Sequence, residues 1–469
     1  MFYFTSNKNQ RCPGHREKHS LPDMFIIGIM KNRSSALLYT LFALCSIYGH
    51  SQSVRDSLLQ EATLQNVVQY ALERQPSVQQ SLIDEKITEL QIRSRLSEWY
   101  PQVNLNYNYQ HNFQVQTSII AGNPVRLGVS NTSSVQFTAS QSIFNRDVLL
   151  ANRTKNEVRL QSRQQTSDTR IDVIANVSKA FYDVLATEQQ IKVADENIVR
   201  LGESLKFATA QYEAGIVDKT DYKRATIALN NAKALKKSNQ EALKAKTEYL
   251  KSLMNYPRYA PLDIVYDSAQ LTNEIVLDTL QAIDYTRRIE YQILQTQRKL
   301  LEANVKYNKW SFIPSVSANG AYNLNFLNNS FGKLYNQSFP NSFAGLTLSF
   351  PIFQGGKRKY EIQQAEWEFK RTDLDIVSLK NSINTQYYSA MADYKASLVN
   401  YLAVRENVAL AQEVYDVIQL QYRNGIKTYL EVITAETDLR TAQINYYNAL
   451  YQLLSSKIDV QRSLGQIAP

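Results

Sequence analysis

Cysteine and histidine are scarce in this sequence, which has two cysteines and four histidines in 469 residues. Both cysteines, Cys12 and Cys45, and three of the histidines lie within the first 50 residues, which we expect to be removed. The mature chain would then hold a single histidine, His111, and no cysteine. This composition excludes disulfide scaffolds, thiolate zinc sites, cysteine nucleophiles and multi-histidine metal centres.

Long apolar runs are also missing. Met30 begins a short basic stretch, residues 36–48 form an apolar core, and small residues follow at 49 and 51. Because this pattern is typical of a secretory signal, residues 1–51 are predicted to be an N-terminal extension and signal peptide that is removed. No later segment is apolar over the ~20 residues that a membrane helix needs, so any membrane crossing would use β-strands.

Charge of one sign is not concentrated anywhere in the chain. The formal net charge is +9, and 20% of residues are charged. Basic and acidic residues are interspersed along the helical stretches, which is typical of a solvated coiled-coil surface. We therefore expect no nucleic-acid partner.

Proline and glycine are few and unevenly placed. Residues 125–256 and 352–468 contain no proline, and residues 357–463 contain one glycine, Gly425. These stretches predict long helices, each interrupted by a glycine turn. The segment 146–213 alone would be a helix about 100 Å long, at 1.5 Å per residue.

Apolar residues recur at three- and four-residue steps in both long helical regions. One set is Ile174, Val177, Phe181, Val184 and Leu185, and the other is Val408, Ala411, Val414, Tyr415 and Ile418. This spacing places each set on one helix face. A narrow apolar seam between polar faces is typical of coiled-coil packing.

Two turns share the pattern Gln-Tyr-x-x-Gly-Ile, at 211–216 and 421–426. Gly215 and Gly425 are predicted to end a helix in the left-handed conformation. Thr220 or Thr428 would cap the next helix. The sequence therefore predicts two helical hairpins, with tips at 215–220 and 425–428.

These turns belong to an internal duplication. At an offset of 210 residues, the match continues as Ala225, Leu229 and Ala232 against Ala435, Leu439 and Ala442. Collinear matches along about 200 residues indicate two copies of one structural unit. We assign repeat 1 to 52–256, a linker to 257–276, and repeat 2 to 277–469.

Each repeat also contains two segments in which apolar and polar residues alternate. The predicted strands are ~102–115, ~132–144, ~314–327 and ~342–353, with polar loops between the members of each pair. The apolar faces suit lipid and the Asn-rich faces suit water. Four strands cannot close a membrane barrel, so two copies (eight strands) or three copies (twelve strands) would have to share one.

Together these features resemble the TolC family of outer membrane efflux proteins, over residues 55–465. The resemblance rests on the duplicated strand–strand–hairpin unit, the prolines at helix–strand junctions, the Gly355-Gly356 turn and the two Tyr-x-x-Gly turns. It implies a mainly α fold with a membrane β-barrel, formed by a homotrimer in outer membrane lipid. A twelve-stranded barrel would continue into a helical tunnel, or α-barrel, in the periplasm.

The resemblance also implies the function. Such a channel would be the passive exit duct of a tripartite efflux or type I secretion system. Its partners would be a periplasmic adaptor (membrane fusion) protein and an inner membrane transporter. It would have no catalytic site and no cofactor.

The resemblance further implies a periplasmic gate at the hairpin tips. The matching positions are Tyr422, Lys427 and Glu431 on the second hairpin, facing Thr220 and Asp221 on the first. Thr434 stands where the family often has an aspartate, so no additional acidic ring is expected.

Adaptor contact is predicted at both tips. Gly215-Ile216 and Gly425-Ile426 each place a small backbone beside an apolar side chain. This combination would let another helical hairpin approach closely.

Two other classes of protein remain as alternatives. A coiled-coil envelope scaffold or adhesin would have no pore. An outer membrane enzyme would need convergent catalytic groups, for which the sequence offers His111, on a predicted lipid-facing position, and carboxylates such as Asp284 and Glu290. Within the channel class, the sequence is equally compatible with export of drugs, metals or proteins.

Overall fold

The computed structural model describes residues 58–266 and 275–468. The predicted signal peptide and residues 267–274 of the predicted linker lie outside the described residues. The described helices are α1 Leu64–Arg74, α2 Pro76–Ser97, α3 Arg146–Glu213, α4 Lys219–Met254, α5 Ile289–Lys309, α6 Lys357–Arg423 and α7 Tyr429–Ser463. The described strands are β1 Gln102–His111, β2 Thr117–Ile120, β3 Asn123–Arg126, β4 Asn131–Phe144, β5 Ser315–Asn328 and β6 Ser338–Ser349.

The strand pairs of the two repeats form one antiparallel sheet, in the order β1-β4-β5-β6. Its register lines up polar residues across all four strands: Asn106 lies opposite Gln136, which lies opposite Asn323, which lies opposite Asn341. The amide of Asn323 donates a 2.6 Å hydrogen bond to Asn341. One face of the sheet is therefore lined with amides.

The opposite face of the sheet carries the apolar residues. Leu105 lies opposite Phe137, which in turn lies opposite Tyr322. All three side chains are exposed in the single chain. The predicted alternation thus builds a two-faced sheet, because successive strand residues point to opposite sides.

The strand boundaries differ from the prediction in places. β1 ends at His111 rather than near 115, and β6 runs from 338 to 349 rather than from ~342 to ~353. The loop predicted at ~116–131 contains a small hairpin, β2–β3, whose turn has positive φ at Ala121 and Gly122.

The long helices match the prediction closely. α3 has 68 residues, from Arg146 to Glu213, and the side chain of Asn145 caps its first turn by accepting from Asp147 N. The predicted α3 seam is confirmed, since Val177 and Leu185 are fully buried. On α6, Tyr415 of the predicted seam is buried, while Val414 is 52% exposed in the single chain.

The largest buried cluster lies where the helices of the two repeats pack together, at a distance from the hairpin tips. It joins Phe181 and Leu185 of α3 to Leu250 of α4, Tyr394 of α6 and Leu453 of α7. This core fixes the base of both hairpins. Among the described residues, no helix is both long and apolar enough to span a membrane.

Candidate functional site: the paired hairpin tips

The two tips share one backbone motif. Gly215 and Gly425 adopt φ of +72° and +73°. In each tip the glycine N–H bonds back to the tyrosine carbonyl, and the following isoleucine N–H bonds to the glutamine carbonyl, at 2.9–3.0 Å. These are the two bonds of a Schellman C-cap. The prediction of left-handed glycine closures is confirmed.

Ile216 and Ile426 stand out from both tips to the same degree. Each side chain follows its glycine and is 71% exposed. In many Schellman caps the residue at this position packs back on the helix. Here both isoleucines point away from their own hairpins, so each tip presents an apolar side chain to its surroundings.

The predicted cap of the second hairpin is correct, whereas that of the first is wrong. Thr428 caps α7 in a capping box with Glu431. On the first hairpin the N-cap residue is Asp218, and Thr220 lies inside the first turn of α4. Thr220 cannot cap because its backbone is already helical.

An aromatic cluster joins the tips to each other. Tyr422 and Tyr429 of the second hairpin lie 5.7 Å apart between ring centroids. They are buried with Val432 against Ala208 and Ala225 of the first hairpin. The second hairpin supplies two tyrosines, and the first supplies Ala208 and Ala225 together with Phe207, whose ring centroid lies 5.4 Å from that of Tyr422.

Tyr422 also carries a polar link between the hairpins. Its hydroxyl donates a 3.0 Å hydrogen bond to Oε1 of Gln211. Burial, with a further contribution from the nearby Asp221 carboxylate, raises the pKa of Tyr422 to about 12. The hydroxyl therefore keeps its proton and remains a donor over the physiological pH range.

The two charged residues of the second hairpin that are predicted for the gate bind each other. Lys427 Nζ lies 2.6 Å from Glu431 Oε1. Glu431 Oε2 also accepts the backbone N–H of Thr428 at 2.9 Å. The Lys427 hydrogen bond and the Thr428 N–H together lower the pKa of Glu431 to about 2.

Of the two residues predicted for the gate on the first hairpin, Thr220 and Asp221, only Asp221 has an electrostatic effect on the second hairpin. Asp221 lies close enough to Tyr422 and Tyr429 to influence both hydroxyls electrostatically. Among the described residues, neither Thr220 nor Asp221 has a side-chain hydrogen bond or ion pair to the second hairpin. Within one chain, the structure thus brings together Tyr422 and Gln211, and separately Lys427 and Glu431.

Sequence reasoning missed three residues of this site. The sequence shows Gln211 only as part of the repeated turn, and it does not single out Tyr429 or Glu436, two α7 residues that are buried in the structure. Tyr429 directly follows the N-cap Thr428, and no sequence rule predicts a buried aromatic side chain at that position. No local signal separates a buried Glu436 from an exposed helix carboxylate.

The residues considered for catalysis have local partners. Asp284 accepts from the backbone N–H of Thr286 at 3.0 Å. Glu290 binds Arg288 at 2.7 Å. His111 Nδ1 lies 2.7 Å from Asn131 Oδ1, on the neighbouring strand. The structure does not bring these three residues together into one site.

A comparison with known protein families identifies the family to which this chain belongs. The family described as outer membrane efflux protein matches residues 67–256 and 290–466. This chain belongs to that family. Each matched stretch contains one pair of long sheet strands and one long hairpin, so the match follows the duplication. The protein is accordingly an outer membrane channel protein.

Known relatives cover most of the chain. Outer membrane protein TolC of Escherichia coli (strain K12) is 23% identical over 442 residues, which is 90% of this chain and 86% of TolC. The probable efflux pump outer membrane protein TtgC of Pseudomonas putida is 23% identical over 317 residues, which is 66% of this chain and 63% of TtgC.

Solved structures agree with the fold. The open state of the Neisseria gonorrhoeae MtrE outer membrane channel aligns with a TM-score of 0.67 and 19% identity, over 86% of this chain and 88% of that one. VceC from Vibrio cholerae aligns with a TM-score of 0.66 and 12% identity, over 86% and 96%. The predicted TolC-like duplicated fold, with an α-barrel and a β-barrel, is confirmed.

Proposed function

We propose that this protein is the passive exit duct of a tripartite efflux or type I secretion assembly, and that three copies form it. The supporting observation is the four-stranded sheet, which has one amide-lined face, one apolar face and β1 and β6 at its outer edges. In lipid, unpaired strand edges are too costly to persist. Three copies joined edge to edge would close twelve strands around a polar lumen.

The partners of this duct would be a periplasmic adaptor protein and an inner membrane transporter, which supplies the energy. Gly215, Ile216, Gly425 and Ile426 are our proposed adaptor contacts. Their support is the identical geometry of the two tips, each with an isoleucine that is exposed in the single chain. An adaptor built from helical hairpins could meet both tips in the same way.

The gate would lie at the same end, at Thr220, Asp221, Tyr422, Lys427 and Glu431. Tyr422 already ties the two hairpins of one chain through Gln211. Lys427 and Asp221 carry opposite charges, and Asp221 makes no ion pair among the described residues. We expect these two side chains to act between hairpins when the tunnel is closed, and opening to be a shift between packed helix pairs.

Conductance tests the gate. Replacing Lys427 and Asp221 by Ala should raise the resting conductance of the protein in planar lipid bilayers, because polar links that hold the closed tip are lost. The matched control is Lys237→Ala. Lys237 forms the same kind of ion pair, 2.6 Å from Glu241 at i+4, but well along α4 from the tip.

The control variant should conduct like the wild type. An unchanged resting conductance in the Lys427→Ala, Asp221→Ala protein would remove the gate assignment. If neither the wild type nor the gate variant conducted after insertion into the bilayer, the alternative of a non-conducting scaffold or adhesin would replace the channel.

A further inference from the structure

A carboxylate is buried in the seam between the two hairpins, about two turns of helix from the second tip. Glu436 of α7 is 2% exposed. Its Oε1 accepts a 3.2 Å hydrogen bond from Asn197 Nδ2 of α3. Its Oε2 has no hydrogen-bond partner among the described residues. A buried carboxylate oxygen without a partner is costly when it carries charge.

The nearest cation does not complete the site. Arg200 Nε of α3 lies 3.7 Å from Glu436 Oε1, which is beyond hydrogen-bond range. The same guanidinium lies 3.8 Å from Glu196 and 5.8 Å from the ring centroid of Tyr415 on α6. Its Nε and Nη2 are also without hydrogen-bond partners among the described residues. The charge of Glu436 is therefore only partly compensated.

The other elements around Glu436 add few compensating groups. The hydroxyls of Tyr415 on α6 and Tyr429 on α7 are buried and, within the described ranges, have no hydrogen-bond partner. The charged groups of α6 near Tyr415 are Asp416 and Arg423. Partly satisfied polar networks of this kind are high in energy, and a rearrangement can relieve them.

A cleft lies beside this buried carboxyl group. Glu436 lines a cleft of about 300 Å³ between α3, α4 and α7. Arg224 of α4 and Arg440 of α7 line the same cleft. A proton released from Glu436 would pass to solvent through this opening.

Burial acts on the acidity of this group. It raises the pKa of Glu436 to about 7, against the opposing effect of Arg200 and Arg440. In a separated, hydrated seam the pKa would return towards the ordinary glutamate value of 4.5. The packed seam therefore binds the proton more tightly than the separated seam.

We propose that Glu436 is a proton-operated latch between the two hairpins, which holds the seam packed when neutral and loosens it when ionised. The proposal rests on the gate described above, since a change in the seam reaches the pore only if the tips form the gate. It adds a direction: acid favours the packed tip, and rising pH favours opening.

Linkage sets the size of the effect. Stabilisation of the packed seam is fully present below about pH 4.5 and is lost as pH rises through about 7. Within that window, the ratio of open to packed seams in one chain should rise by up to tenfold per pH unit. A trimer would contain three such latches.

The test is resting conductance in planar bilayers between pH 5 and 8. Wild type should conduct more as pH rises through this range. Glu436→Gln cannot ionise, so its conductance should stay at the low-pH level. The matched control is Asp438→Asn, which removes a carboxylate from the exposed side of the same helix, and it should follow the wild type. A wild-type pH response in Glu436→Gln would overturn the latch.

A second variant covers the case in which Glu436→Gln fails to assemble. Arg200→Gln removes the nearest cation, so the pH midpoint of the conductance change should move upwards. An unmoved midpoint would contradict the latch. Infrared difference spectra should also show a protonated carboxyl band that titrates near neutral pH in wild type, and its absence would overturn the proposal whatever the conductance.

The two proposals fail in different ways. If Glu436→Gln keeps the pH response while the Lys427→Ala, Asp221→Ala variant leaks, the latch is wrong and the gate stands. If the Lys427→Ala, Asp221→Ala variant does not leak and pH does not change the conductance, the gate is wrong. The latch is then wrong too, because it acts through the gate.

Discussion

At positions 212 and 422 the duplicated chain places the same residue in two environments. Tyr422 is 6% exposed in the cluster between the hairpins, whereas Tyr212 is 41% exposed. Tyr212 stacks on Tyr222 of its own hairpin, with ring centroids 6.2 Å apart. The turn backbone was kept in both copies, while the contact surface diverged. The second hairpin places its tyrosine in the seam between the hairpins, and the first places its equivalent tyrosine outside it.

Removing the buried Tyr422 side chain should have a much larger effect than removing Tyr212. Tyr422→Ala should lower the free energy of local opening at the tips by about 3–5 kcal/mol, because a buried aromatic side chain leaves a cavity. Tyr212→Ala is the matched control and should cost less than about 1 kcal/mol, since its side chain is exposed. Hydrogen exchange of the tip amides, followed by mass spectrometry, measures both. Equal costs would mean that the two tips are packed alike.

The helix caps of the two hairpins should also differ, by a smaller amount, in their response to acid. Glu431 and Asp221 occupy equivalent positions, but only Glu431 closes a capping box. Because its pKa is lowered to about 2, its stabilising contribution is present above pH 4.5 and is lost as pH falls towards 2. The protection of amides at the second tip should therefore decrease over that range in wild type.

Two variants serve as controls for this acid effect. Glu431→Gln should remove the pH dependence at the second tip, because no charge remains to be neutralised. Asp438→Asn, on the exposed side of α7, should leave the acid response of the second tip unchanged. Acid loosening that persists in Glu431→Gln would assign the effect to another group.

Much of the architecture could be predicted because local rules and tertiary structure agree. The bounds of α3 follow from the lack of proline, the cap at Asn145 and the glycine after Ala214. The sheet faces follow from strict alternation. The cap of α4 could not be predicted, because Asp218 and Thr220 are both good capping residues and only the backbone conformation separates them.

Other features depend on contacts that sequence alone does not contain. The β2–β3 hairpin turns at Ala121 and Gly122, both with positive φ, and alanine gives no signal for such a turn. The burial of Glu436 is decided by Asn197 and Arg200, more than 230 residues earlier in the chain. The tyrosine of the repeated turn is buried at 422 and exposed at 212, because its surroundings are set by tertiary contacts and not by the turn itself.

We propose that the sheet of one chain is completed by copies of the same chain. Native mass spectrometry of the detergent-extracted protein tests it most directly, because it counts the chains in the particle. We predict three chains, with β1 of one copy beside β6 of the next. A folded particle containing a single chain would contradict the claim.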